Sequence, residues 1–466
     1  MTGPGFSPGQ RRVVLLLVLI VVLVFALFAG FIITSLETLE QAALPTATVR
    51  SVAAASVSPT PPPPATSTPM PKDGFWAQVR SARLFDQIAH QVEVERGLSP
   101  RAEVPLSFLE ERKMEETLLD LFSQGQWDGA SETYRAIGLL PQASSGLRIE
   151  APAGIYVPEH EQLYVTVGGP ENDPAAQALL AHAYVHALQD QHFDLQGMAV
   201  RAQTTDEWLA LQALIEGDAT LATVLYSAGD PAAADWDRWT ELILAAEHPA
   251  YDDPAAANET ASLLRGFAYE QGRRFVVTLF EHGGWEAVNA AYTTPPRSTE
   301  DILHPARYVQ ALSTASETSG PNPVTVPRLG TVLGQDWELM TEDTVGEFVT
   351  TLYLQQALTE DRARNGAEGW DGDSFVVWGR EDGARFQAWR TRWSSTEEAR
   401  DFERSVRLVV PQHHLPVRPV DPPRGAPGRW WETEAGTLLL RRDGRYVTYV
   451  SAPDTNSLLN ALEVLP

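Results

Sequence analysis

His182 and His186 stand four residues apart in Leu180-Ala-His-Ala-Tyr-Val-His-Ala-Leu-Gln-Asp190. On an α-helix, where the chain turns about 100° per residue, His186 falls about 40° from His182, so both imidazoles reach one ion; position 183 flanks them at about 100°. In the H-E-x-x-H arrangement such a pair holds Zn²⁺, and the glutamate beside the first histidine acts as general base on the metal-bound water. Position 183 is alanine here, so the two ligands are present and the base is missing. A positioned general base contributes about 10²–10⁴ in rate, and without it hydrolysis is expected to be weak or absent. Asp190 lies at a similar angle, about 80°, but about 10 Å further along the axis, too far to act on the same water. It reads as a support for a histidine or as the end of the helix.

A hydrolytic zinc site takes three protein ligands. The chain has no cysteine, so any metal must be held by His, Asp or Glu. Glu216, within Leu214-Ile-Glu-Gly-Asp-Ala-Thr220, is the best-placed third ligand, on a helix whose start reads at Thr204 with Glu207 completing a capping box. Asp218 lies about 200° round that helix from Glu216 and is expected to make a structural salt bridge or a supporting contact instead. The elements that must position these groups carry local signals of their own. Asp173 followed by Pro174 starts the histidine helix as N-cap and first helical residue. Just before it, Gly154 to Val167 reads as a hairpin around a polar turn that includes Glu159 and Glu161. A possible short strand is expected over Glu103 to Phe108, and further helices from about Asp206, Pro231 and Thr260, the last broken at Gly283-Gly284.

The stretch Leu180 to Asp194, the hairpin before it, Glu216-Gly217-Asp218-Ala219 and Ser298-Thr-Glu-Asp-Ile-Leu-His-Pro305 together resemble bacterial membrane-anchored proteins related to gluzincin, or peptidase-MA-like, zinc metallopeptidases, over roughly residues 74–400. The resemblance implies that His182, His186 and Glu216 are the metal ligands. It also implies that Leu163 to Val167 is an edge strand that pairs with a peptide substrate. The chain departs from the family at Ala183. His304 and Tyr308 are candidates to donate a proton to a developing oxyanion, as His or Tyr does in related enzymes, but Pro305 and an N-cap at Ser298 suit a plain structural turn, which is favoured.

Three readings follow: a zinc-binding pseudopeptidase that binds a peptide or protein; an active peptidase with a surrogate base such as Glu159 or Glu161; and a metal-free scaffold. A Glu216 carboxylate more than about 5 Å from both imidazoles favours the last, because Zn–ligand bonds are about 2 Å.

Residues 1–12 read as a cytoplasmic N-terminus. Val13 to Ile33 is an unbroken apolar run, about 30 Å as a helix, the core of an expected transmembrane span over residues 13–34. Arg11 and Arg12 precede it and no basic residue follows until Arg50, which places the main part of a single-pass membrane protein outside the cell. Residues 35–72 are rich in Pro, Thr, Ser and Ala and read as a stalk. The expected fold class is α+β: a mostly helical zincin-like domain with a small β-hairpin or sheet over 73–366, and a C-terminal α+β module over 367–466. A net charge of −26 excludes nucleic acid as a natural partner. His413-His414, in a proline-rich connector expected over 411–427, and the sequon Asn258-Glu-Thr260 read as coincidence.

Overall fold

Gly97, at φ +70°, stops the first helix among the described residues, α1 (Asp73–Arg96). This is a computed structural model that describes residues 73–466 apart from 124–130, 141–146, 149–150, 248–249, 252–258, 314–319 and 415. The expected membrane span, the stalk and Asn258 lie outside the described residues. After α1 come β1 (Leu106–Leu109), α2 (Glu111–Ser123), α3 (Ser131–Ala136), the two-residue β2 (Leu147–Arg148), and the expected hairpin, β3 (Gly154–Val157) and β4 (Gln162–Thr166).

The hairpin's place in its sheet corrects one expectation. β4 is the central strand, antiparallel to β3 on one side and parallel to β1 on the other, with Leu106 opposite Leu163 and Leu109 opposite Thr166. The arm at Leu163 to Val167 is therefore not a free edge for a peptide, because β1 already takes its hydrogen bonds. A parallel partner reached through a long connection leaves no local mark in the sequence.

The helices that follow are α4 (Pro174–Phe193), α5 (Leu195–Arg201), α6 (Thr205–Ala228), α7 (Trp236–Glu247), α8 (Glu259–Thr293), α9 (Thr299–Leu303) and α10 (Pro305–Ser313); a two-residue strand β5 (Ala250–Tyr251) pairs with β2. α8 breaks at Gly283 and Gly284 as expected, with Gly284 at φ +63°. α6 is the only helix among the described residues long and apolar enough to cross a membrane, but 83 % of its apolar window is buried inside the protein. It is apolar on all sides because it is surrounded. α6 and α8 touch at backbone distance: a Cβ on Gly217 would collide with the Gly272 carbonyl, and one on Gly272 with the Ala213 carbonyl. The glycine beside Glu216 thus has a packing reason.

α11 (Gly330–Leu333) leads into the C-terminal region: β6 (Glu338–Asp343), α12 (Gly346–Gln355), α13 (Glu360–Ala367), β7 (Trp370–Gly379), β8 (Arg385–Trp393), α14 (Thr396–His413), β9 (Val417–Val420), β10 (Arg429–Thr433), β11 (Gly436–Asp443), β12 (Tyr446–Ala452) and α15 (Thr455–Leu462). The strands form one seven-stranded antiparallel sheet in the order β6-β7-β8-β12-β11-β10-β9. Alternate residues serve its two faces. Phe375, Val377, Trp389 and Leu440 pack with Val349, Phe402 and Val406 of α12 and α14, while Val376, Trp378, Leu439 and Val450 pack with Leu458 and Ala461 of α15. β6 brings residues from before 367 into this sheet.

The connector expected over 411–427 is partly structured. α14 continues through Pro411 to His413, because burial of Val406, Val409 and Val410 outweighs the one backbone bond the proline cannot donate. Pro419 is tolerated in β9 because that strand is an edge. The main hydrophobic cluster runs without a break from Ile137 and Leu214 through Phe275 to Trp389 and Tyr449, so the helices and the sheet share a core, and the described residues form one compact unit. The architecture is α+β: a mostly helical region with a three-stranded sheet, followed by the seven-stranded module.

Candidate metal centre

Asp173 caps α4 by accepting the Ala175 N–H at 2.9 Å, with Pro174 as the first helical residue. Thr204 caps α6 by accepting the Glu207 N–H at 3.2 Å, while the Glu207 carboxylate reaches back one residue further than a capping box and takes the Gln203 N–H at 2.9 Å. These two helices pack together and bring the three expected ligands to one point. His182 Nε2 lies 3.3 Å and His186 Nε2 3.4 Å from the same oxygen, Oε2 of Glu216. The His182 side chain is fully buried, and those of His186 and Glu216 are each 12 % exposed. The two rings meet edge to face, 4.7 Å between centroids.

The hydrogen bonds of the outer ring nitrogens decide where the protons are. Thr223 donates its hydroxyl to the Ala219 carbonyl at 2.7 Å, so toward His182 Nδ1, 3.2 Å away, it can only accept. His186 Nδ1 lies 2.8 Å from Gln189 Oε1, an acceptor as well. Both Nδ1 atoms therefore carry the proton, and in the neutral rings the lone pairs sit on Nε2, turned toward the carboxylate. Two lone pairs facing a carboxylate oxygen repel unless a cation lies between them, a proton or a metal. Burial pushes the Glu216 carboxyl up, but with the rings protonated the charge and hydrogen bonds of His186 and His182 together overcome it and hold the group well below the usual carboxylate range.

The donor set fits a metal. All three ligand atoms lie within 4.8 Å of one another. Around an ion with tetrahedral bonds of about 2.0–2.1 Å, neighbouring donors are about 3.3 Å apart, which matches the separations of 3.3 and 3.4 Å from Glu216 to the histidines. Both separations are well inside the limit of about 5 Å beyond which a metal-free scaffold is favoured.

The other sequence candidates stand elsewhere. Ala183 is 2 % exposed, within a core cluster that includes Phe85, Ile88 and Val92 of α1. Asp190 spends both oxygens away from the histidines, one on the Tyr156 hydroxyl at 2.7 Å and the other on the Leu195 N–H at 2.9 Å, tying the hairpin to the end of α4. Glu159 and Glu161 are exposed at the hairpin turn and do not join the converging group. Asp218 makes the structural salt bridge that its angle implied, with Arg96 at 2.6 Å. His304 bonds Glu347 at 3.1 Å, Tyr308 donates to the Thr294 carbonyl inside the main core, and Ser298 caps α9 through the Glu300 N–H. His413 and His414 end α14; the Tyr449 hydroxyl lies 2.8 Å from His414 Nε2, and burial pushes that imidazole down to about 4. A groove of about 530 Å³ opens beside Tyr184, lined by Phe85, His90, Glu93 and Val104, and includes none of the three ligands.

Sequence reasoning missed Thr223, Gln189 and Arg96. Gln189 had a signal, since it stands three residues after His186 and so on the same helix face. Arg96 had none: it is the last residue of α1, and only the fold buries it.

Compared with known proteins, residues 336–462 match the model of a domain of unknown function, DUF8575. The match spans the seven-stranded sheet from β6 to α15 and includes none of the metal-centre residues. No curated protein and no solved structure matches the chain.

Proposed function

We propose that this chain is a membrane-tethered, extracytoplasmic zinc-binding protein of zincin-like ancestry that holds its metal without the base needed for efficient peptide hydrolysis. The observation that carries the proposal is the convergence of His182, His186 and Glu216, with both Nε2 atoms 3.3 and 3.4 Å from Glu216 Oε2 and one ligand atom of each residue within 4.8 Å of the others. A His₂Glu set suits Zn²⁺, which when bound would polarise a water or a carbonyl at its remaining position. The chain's own residues do the rest: Thr223 and Gln189 orient the rings, Glu216 supplies the negative charge, and Ala183 leaves no proton acceptor beside the first ligand. No second carboxylate joins Glu216 in the group among the described residues, which tells against a surrogate base. A peptide or protein partner would have to engage a surface other than β4, whose two sides are already paired. The membrane tether rests on the apolar run Val13 to Ile33.

The test is a zinc measurement on the full chain beside His182→Ala and Ala183→Glu. We expect one equivalent of zinc, lost in His182→Ala, and no chelator-sensitive cleavage of peptides by the natural chain. Substoichiometric metal together with a melting temperature indifferent to chelator would sink the proposal; chelator-sensitive cleavage lost in His182→Ala would turn it into a working peptidase. Ala183→Glu asks whether the base alone is missing, although burying a carboxylate at this position is expected to reduce stability unless it reaches the metal-bound water.

A further inference from the structure

Gln189 is fully buried, and the orientation of its amide is dictated by its neighbours. Its Nε2 lies 3.0 Å from each of the Ile215 carbonyl, Asp218 Oδ2 and the Tyr292 hydroxyl oxygen. Tyr292 spends its own proton on Asp218 Oδ2 at 2.7 Å, so its oxygen faces Gln189 as an acceptor. Exchanging the amide nitrogen and oxygen would set Oε1 against a carbonyl, a carboxylate and a committed hydroxyl, all acceptors. The oxygen is therefore the atom that faces His186 Nδ1.

Behind Gln189 stands a pair that holds Asp218 still. Arg96 donates Nε to Asp218 Oδ1 at 2.6 Å and Nη2 to Oδ2 at 2.9 Å, and both side chains are wholly buried. Nη2 also reaches Asn289 Oδ1 at 2.8 Å, and the guanidinium lies 4.2 Å from the Trp285 ring centroid. A rigid chain of contacts thus runs from α1 and α8 through Asp218 and Gln189 to His186.

We propose that Gln189 is a positioning residue that fixes His186 in the Nδ1–H tautomer, so that Nε2 is the atom presented to the metal, and that this contact sets the affinity of the centre. The inference rests on reading the site as a metal centre, and adds what tunes it. Loss of an outer contact to a ligating histidine typically weakens metal binding about 10–100-fold.

The test uses the full chain with ¹⁵N-labelled histidine, at alkaline pH, metal-free and then zinc-loaded, as the natural protein and as Gln189→Met; His186→Ala assigns the signal. In the metal-free natural protein His186 is expected to carry its proton on Nδ1. In Gln189→Met that preference is lost, zinc binding measured against a competing chelator weakens about 10–100-fold, and the ring of His182 keeps its own tautomer. A proton on Nε2 of His186 in the natural protein overturns the proposal with no variant needed, and so does an unchanged zinc affinity in Gln189→Met. A natural protein that takes up no zinc overturns the metal reading and the affinity claim with it; the tautomer, read without metal, then decides the action of Gln189 on the ring by itself.

Discussion

Asp206 and Glu216 share one helix, α6, and both are buried, yet their carboxyl groups shift in opposite directions. Glu216 faces two imidazoles and is held low. Asp206 belongs to a second buried group, where the helical region meets the seven-stranded sheet, and every partner there is a neutral donor. Asp206 accepts the N–H and hydroxyl of Thr299 at the start of α9. Asp343 of β6 accepts the Thr205 N–H at the start of α6 and the Thr133 hydroxyl, and Asp373 of β7 accepts the N–H groups of Val345 and Gly346 at the start of α12. Each aspartate thus ties a helix N-terminus to another element. Burial nevertheless pushes Asp206 up to about 8 and Asp373 up to about 7, against the downward pull of those hydrogen bonds. Asp206 Oδ2, buried and without a hydrogen-bond partner among the described residues, is where a proton fits. The contrast teaches that a buried carboxyl is held low where two imidazoles face it and is pushed up where only neutral dipoles do.

The sharpest test removes the cation from a third buried carboxylate of α6, Asp218, which Arg96 pairs. Arg96→Met leaves Asp218 buried and unpaired and is expected to destabilise the protein by about 3–5 kcal/mol, read from denaturant unfolding. The double change Arg96→Met, Asp218→Leu should recover much of that loss. A single variant close to wild type would mean that the pair is not the anchor its burial implies.

Next in size is the metal. If zinc binds the native state alone, a free concentration one hundred times Kd adds about 2.7 kcal/mol, so a chelator should lower the melting temperature of the natural chain and leave His186→Ala unmoved.

The aspartate group predicts a pH dependence of definite sign. Asp206 and Asp373 have folded pKa values above the ordinary aspartate value of 3.8, so the folded state holds protons that the unfolded state has released. Their contribution is complete below about pH 4 and is lost as pH rises through about 7 to 8, by up to about 1.4 kcal/mol per pH unit for each group. Asp206→Asn keeps an acceptor for Thr299 and should flatten this slope in unfolding curves taken across that range. An unchanged slope in the variant would place the buried proton elsewhere.

The smallest effect is a baseline outside both groups. Asp173 is an exposed carboxylate that caps α4, and Asp173→Ala should remove about 1 kcal/mol.

Much of the scaffold is legible locally. Asp173-Pro174 and Thr204 start the two helices that carry the converging residues, and Gly283-Gly284 breaks α8, each through a cap or turn conformation that neighbouring residues impose by themselves. Helical spacing puts His182 and His186 on one face and Asp218 away from Glu216, and it leaves Ala183 as the gap in the motif. The sequence by itself therefore singled out the three residues that converge, the alanine at position 183 and the helices that carry them. Only the tertiary structure decided that β1 closes the side of β4, that Arg96 from the first helix neutralises Asp218, that Gln189 and Thr223 orient the imidazoles, and that three aspartates share a buried junction. The reason is physical: caps and periodicity act within a few residues along the chain, whereas hydrogen-bond partners and desolvation belong to groups that only packing brings together.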